Sequence, residues 1–175
     1  MDVCVMPTAI DVGSLPNHVA TLDPAPMPTT PIPSSAEEGS FEGERSMTTD
    51  ELLQQAMKAR ENALAGFSRF KVGAALLTTD GKVYTGCNIE NATYGLTVCA
   101  ERVALWKALS EGERSFVRIA VGSGGTLPAS PCGACRQLLW EFCGDLEVVL
   151  GNASGVKELH HLAELFPRPF DQRSL

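Results

Sequence analysis

The sequence predicts a three-layer α/β domain built on a mixed sheet. Three observations carry that prediction: a capped amphipathic helix near residue 48, a hairpin signal directly after it, and alternating helical and strand-like segments beyond. Thr48-Thr49-Asp50-Glu51 has the capping-box pattern, with Glu51 three residues after Thr48. Leu52, Leu53, Ala56, Met57, Ala63 and Leu64 recur on one helical face, and Gly66 suits the end of that helix. Phe70 to Thr79 reads as a buried strand, Asp80-Gly81 as a tight turn, and Lys82 to Asn88 as the returning strand. Asn88 to Thr97 is a polar loop. A second helix is expected from about Cys99 to Leu109. Phe116 to Ser123 shows little alternation, so this strand is expected to be covered on both faces. After a loop to Pro131 come a helix from Gly133 to Cys143 and a strand from Glu147 to Leu150. Val156 to Phe166 is ambiguous on pattern alone, and no internal repeat is visible.

The chain has 175 residues, enough for one domain with a proper core. Its net charge of −7 is unevenly placed. Residues 1–47 hold seven acidic residues and one basic residue, hence −6; the remainder holds 14 acidic and 13 basic, hence −1. A near-neutral body offers no electrostatic track for a nucleic-acid polymer, so a small substrate fits better. Seven of the eleven prolines fall in the first 33 residues. Residues 1–47 are therefore expected to form a disordered, acidic, proline-rich tail, with the folded domain over 48–175. Met47-Thr48-Thr49-Asp50 itself reads like a natural start before a capped helix. The first residues lack a basic stretch followed by an apolar run, so no signal peptide is expected. No run approaches the ~18 apolar residues of a membrane span. The expected location is the cytoplasm, where Cys-x-x-Cys more often means metal or redox chemistry than a disulfide framework.

The chemistry concentrates at two predicted helix starts, Cys99-Ala100-Glu101 and Pro131-Cys132-Gly133-Ala134-Cys135. Three thiolates make a soft tetrahedral zinc site with one position open, the arrangement of a catalytic metal. Cys132 and Cys135 lie one helical turn apart and can share an ion. Glu101 stands two residues from a ligand, so its carboxylate can sit beside the open position without binding metal, as a proton shuttle must. Three thiolates on Zn²⁺ leave a net −1, which helix N-termini offset in part. Arg102 and Arg136 could each donate to thiolate sulfur, and Arg102 is the stronger candidate. A closed structural zinc module would need a fourth ligand, for which Cys87 is the nearest choice; a redox Cys-x-x-Cys protein would leave Cys99-Ala100-Glu101 unexplained. Cys87 and Cys143 read as small buried hydrophobes, Trp106 and Trp140 as packing residues, and His160-His161 as packing rather than ligands.

Cys-Ala-Glu followed by Pro-Cys-x-x-Cys resembles the signature of the cytidine deaminase superfamily, and the resemblance covers about residues 48–170. It includes Phe70-Lys71-Val72-Gly73-Ala74-Ala75-Leu76, Gly86-Cys87-Asn88-Ile89-Glu90-Asn91-Ala92, Cys99-Ala100-Glu101-Arg102 and Ser130-Pro131-Cys132-Gly133-Ala134-Cys135-Arg136-Gln137. Cys99, where other branches place His, is similar to the short nucleoside-deaminase branch. The resemblance implies one Zn²⁺ per chain on Cys99, Cys132 and Cys135, with Glu101 as the catalytic acid/base. It implies hydrolytic deamination of cytidine and deoxycytidine in pyrimidine salvage; a deaminase for another aminopyrimidine, such as blasticidin S, is the alternative. Asn88 and Glu90 would bind the ribose 3′-hydroxyl, Phe70 would pack near sugar and base, and the Ala100 amide and Ser130 carbonyl would address the pyrimidine edge. Phe170 and Tyr94 match positions that complete a neighbouring subunit's site, implying a homotetramer. The family topology turns Val156 to His161 into a fifth strand of a three-layer α/β/α fold, followed by a short helix to Phe166. Residues 1–47 have no counterpart in the resemblance, Phe67 stands where the family often has Tyr, and Arg168-Pro169 before Phe170 is an atypical spelling.

Overall fold

A computed structural model describes residues 47–171; the tail expected over 1–47 lies, Met47 apart, outside the described residues. The chain opens with α1 (Thr49–Arg60), whose start is fixed by a reciprocal cap. The Glu51 amide donates to Thr48 Oγ1 at 3.2 Å, and the Thr48 amide donates to Glu51 Oε2 at 2.9 Å. The helix stops at Arg60, six residues short of the predicted end at Gly66. Long-range pairing decides this. The Leu64 amide donates to the Asn88 carbonyl at 3.0 Å, and the Glu90 amide donates back to the Leu64 carbonyl at 2.8 Å. Leu64 is thereby drawn out of the helical stripe and left 64% exposed.

The hairpin follows as β1 (Val72–Thr78) and β2 (Val83–Cys87). Then come α2 (Ala100–Ser110), β3 (Phe116–Ser123), α3 (Gly133–Cys143), β4 (Glu147–Asn152), β5 (Lys157–His161) and α4 (Leu162–Leu165). The loop before α2 contains a single 3₁₀ turn at Tyr94–Leu96. The five strands form one mixed sheet, as the fold class predicted, and their order is β2-β1-β3-β4-β5. Only β3 and β4 run parallel, and α3 supplies the crossover that a parallel pair requires.

Two cores sandwich the sheet, because successive strand residues face opposite sides. Ala74, Leu76, Ile119, Val121, Val148 and Leu150 pack with α2 and α3. Ala75, Leu77, Ala120 and Val149 pack with Leu52 and Ala56 of α1. The helices lie close on the strands where glycine allows it. A Cβ on Gly86 of β2 would stand 2.5 Å from the Ala100 carbonyl oxygen and 2.6 Å from the Ala104 amide nitrogen. The first turn of α2 therefore rests directly on β2.

Several packing expectations need correction. Trp106 is 47% exposed, because the inner face of α2 is filled by Ala104, Leu105 and Ala108; its ring instead lies 5.8 Å from the Arg102 guanidinium. Cys87 is only half-buried, and Cys143 packs part-buried against the larger core. Trp140 also packs against that core, with its indole N–H 3.4 Å from Asp171 Oδ2. His160 lies beside Glu158 and Glu164, and His161 beside Asp145, away from the cysteines.

Candidate active site

Cys99 and Cys132 occupy the N-caps of α2 and α3, each with extended backbone, and neither side chain caps its own helix. Cys135 sits on the first turn of α3 and is fully buried. The three sulfur atoms all lie within 4.8 Å of one another. Cys99 Sγ is 3.9 Å from Cys132 Sγ, which is 3.5 Å from Cys135 Sγ. These separations are far too long for disulfides, whose S–S bond is about 2.05 Å. They fit zinc: tetrahedral bonds of about 2.3 Å place two sulfurs roughly 3.8 Å apart. Among the described residues Cys87 does not join the cluster, so no fourth sulfur closes the site.

The site's electrostatics suit thiolates. The cluster sits at the N-termini of two helices, where unpaired N–H groups and the helix dipole favour negative charge. The Cys99 thiol is pushed down to about 5, first by its hydrogen bond with Cys135 and next by Arg102. The neighbouring Cys99 sulfur and burial push the Cys135 thiol up. Arg102 Nη2 donates to Cys99 Sγ at 3.6 Å and to the Thr97 carbonyl at 3.1 Å. Arg136 serves differently. It donates to the Pro131 carbonyl at 2.7 Å, to Ser130 Oγ at 2.8 Å and to the Leu165 carbonyl, bracing the segment before Cys132 without reaching sulfur.

Glu101 is 5% exposed on the first turn of α2. Burial, with a further contribution from the Cys99 thiolate, pushes its carboxyl up to about 7. A carboxyl with that affinity can hold or release a proton at neutral pH. It lines a cavity of about 280 Å³ together with Cys99 and Cys132. Phe70, Ala100 and Ser130 line the same cavity, as do Asn88 and Glu90. Cys135 and Arg102 stand behind that wall.

Tyr94 and Phe170 do not line this cavity. Tyr94 is 78% exposed and meets Phe67 edge-on at 6.0 Å. Phe170 is 60% exposed, its backbone held by Gln137, which donates to the Phe170 carbonyl at 2.7 Å.

Sequence reasoning missed the contacts behind Asn88 and Glu90. The Val72 amide donates to Asn88 Oδ1 at 2.9 Å, and Asn88 Nδ2 donates to the Phe70 carbonyl at 2.9 Å. Glu90 Oε2 accepts from the amides of Phe67 at 2.7 Å and Ser68 at 3.1 Å. Ser68 Oγ also donates to Glu90 Oε1, and this bond holds the carboxyl below the usual carboxylate range. The one local signal was Ser68 two residues before Phe70, a spacing at which a serine hydroxyl can accept the later amide; here it does, at 3.0 Å.

Comparison with known proteins agrees with this geometry. Residues 46–152 match the family described as the cytidine and deoxycytidylate deaminase zinc-binding region. A cytidine deaminase of Sporosarcina psychrophila is 48% identical over 130 residues, covering 74% of this chain and 96% of that protein. One from Halalkalibacterium halodurans is 53% identical over 120 residues, covering 68% of this chain and 91% of that protein. The crystal structure of cytidine deaminase from Burkholderia pseudomallei superposes with a TM-score of 0.69 at 50% identity, over 71% of this chain and 100% of that one. The cluster of three sulfurs and the matched span of sequence together make this chain a member of the zinc-binding cytidine and deoxycytidylate deaminase family.

Proposed function

We propose that this chain hydrolyses the 4-amino group of cytidine and 2′-deoxycytidine, giving the uridines and ammonia, with one zinc held by Cys99, Cys132 and Cys135. One observation carries the reading: a buried carboxyl, Glu101, that is no part of the sulfur cluster yet faces the same cavity as Cys99 and Cys132. Zinc held there supplies Lewis acidity, which makes water a nucleophile near neutral pH. Glu101 takes the proton of the attacking water as its oxygen bonds to C4, and delivers it to N3. It then carries the second proton of that oxygen to the amine as the C4–N bond breaks, so water is consumed and ammonia leaves. Arg102, through its bond to Cys99 Sγ, offsets part of the negative charge of the thiolate cluster.

The rest of the cavity reads the substrate. Phe70 gives an apolar wall, the Ala100 amide and Ser130 carbonyl meet the pyrimidine edge, and Asn88 with Glu90 meets the sugar 3′-hydroxyl. That pair favours a nucleoside over blasticidin S. The reading extends to cytoplasmic pyrimidine salvage and to a homotetramer in which Tyr94 and Phe170, both exposed, complete neighbouring sites. Residues 1–46 are dispensable in this reading, whereas Met47 packs on the α1 core and its carbonyl accepts from Arg118 at 3.2 Å. No described helix is long and apolar enough to cross a membrane. The test is loss of cytidine absorbance with stoichiometric ammonia release by the zinc-loaded protein, beside blasticidin S and CMP. Cytidine should be turned over by far the fastest; faster turnover of either rival would overturn the substrate assignment.

A further inference from the structure

The carboxylate of Glu90 is already occupied on most sides. An ionised carboxylate has about four acceptor sites. Three are taken, by the Phe67 amide, the Ser68 amide and the Ser68 hydroxyl. Asn88 likewise spends one N–H on the Phe70 carbonyl and one lone pair on the Val72 amide. Glu90 thus keeps about one acceptor for a ligand, and Asn88 keeps one donor and one acceptor. A hydroxyl, which donates once and accepts as well, matches that remainder.

The bonds that fix this arrangement come from one short segment, residues 67–72, and Ser68 stands at its centre. Its hydroxyl accepts the Phe70 amide at 3.0 Å and donates to Glu90, while its own amide donates to the same carboxylate. Ser68 and Phe70 line the same cavity as Asn88, Glu90, Cys99 and Cys132, so the same hydroxyl bears on both the sugar-reading pair and the apolar wall. A hydroxyl is needed here because it accepts and donates at once; a methyl does neither.

We propose that Ser68 is a positioning residue that sets specificity for the sugar hydroxyl: it locks the Glu90 carboxylate in the one orientation that leaves a single acceptor facing the cavity. The proposal rests on the assignment of Asn88 and Glu90 to the 3′-hydroxyl. Ser68 does not itself need to touch the substrate. The lowered proton affinity of the Glu90 carboxylate accords with this, since its hydrogen bond with Ser68 is the largest cause. Ser68 is exposed and lies in a loop, so its hydroxyl can be removed without opening the core.

The experiment compares zinc-loaded wild type with Ser68→Ala and Ser68→Thr on cytidine and on 3′-deoxycytidine, with thermal melts alongside. Losing one charge-assisted hydrogen bond while two amide donors remain should raise KM for cytidine about tenfold. kcat should stay within about twofold, because Glu101 and the sulfurs are untouched. 3′-Deoxycytidine, which lacks the 3′-hydroxyl, should respond little to Ser68→Ala. Ser68→Thr, which keeps the hydroxyl, should restore most of the cytidine KM. If wild type prefers cytidine but Ser68→Ala leaves both substrates unchanged, or weakens both equally, the positioning role is overturned and the sugar assignment stands. If wild type itself handles both substrates alike, the sugar assignment falls and the role of Ser68 falls with it.

Discussion

Gly86 couples the sheet to the chemistry, and replacing it with alanine should damage both. Its Cβ would stand 2.5 Å from the Ala100 carbonyl oxygen, 2.6 Å from the Ala104 nitrogen and 2.8 Å from Val103 Cβ. Two of these three are backbone atoms of α2, so no side chain can rotate away. Ordinary contact begins near 3.4 Å, so the start of α2 must retreat by about 0.9 Å, the difference between 3.4 and 2.5. Overpacking of this kind costs about 1–3 kcal/mol. At roughly 4 °C per kcal/mol for a domain of this size, the melting point should fall by roughly 4–12 °C. The retreat carries Cys99, Ala100 and Glu101 with it, since all three belong to the start of α2. A displacement near 1 Å can cost on the order of 10²-fold in rate. Gly151→Ala is the control: the three atoms nearest its Cβ would be side-chain carbons of Leu53 on the α1 face, and no residue of α1 lines the cavity. The assay is cytidine turnover and thermal melting of zinc-loaded Gly86→Ala and Gly151→Ala. A wild-type melting point and rate for Gly86→Ala would refute the argument, as would an equal rate loss in Gly151→Ala.

Other outcomes follow from the same geometry. Cys87→Ala should retain one zinc per chain by metal analysis, because Cys87 is outside the sulfur cluster; loss of the metal would make the site closed and structural. Glu101→Gln should keep zinc and bind cytidine, yet lose at least ~10²–10⁴-fold in kcat, and near-normal turnover in zinc-replete protein would remove Glu101 from the mechanism. Stripping zinc with a chelator should abolish turnover while the far-ultraviolet circular dichroism persists, since two apolar cores sandwich the sheet independently of the cysteines' metal; collapse of the signal would make the metal structural. A chain beginning at Met47 should keep full activity and tetrameric mass in solution. Loss of either would give residues 1–46 a structural role, and a fully active monomer would return Phe170 and Tyr94 to their own chain.

Most elements and the chemistry of the sulfur cluster were legible in the chain, while the end of α1 and the stretch from Val156 to Phe166 were not. Caps, helix starts and strand runs are local, so Thr48 with Glu51, the Asp80-Gly81 turn and the two cysteine-bearing helix starts were all readable from neighbours in the chain. The Cys132 to Cys135 spacing is one helical turn, which lets the two share an ion, while the third sulfur, Cys99, joins them only in the folded structure. What lies between distant segments was not readable. The Leu64 to Ile89 bridge ended α1 early although Ala63 and Leu64 continue its apolar period, because backbone pairing across 25 positions, 64 to 89, outweighed a local pattern. Trp106 kept helical spacing but faced outward, since which face of α2 is inner depends on where β2 offers Gly86. The hydrogen bonds from residues 67–72 to Asn88 and Glu90 likewise exist only once β1 and β2 pair, and that pairing alone decides which valences of the two side chains remain for a ligand.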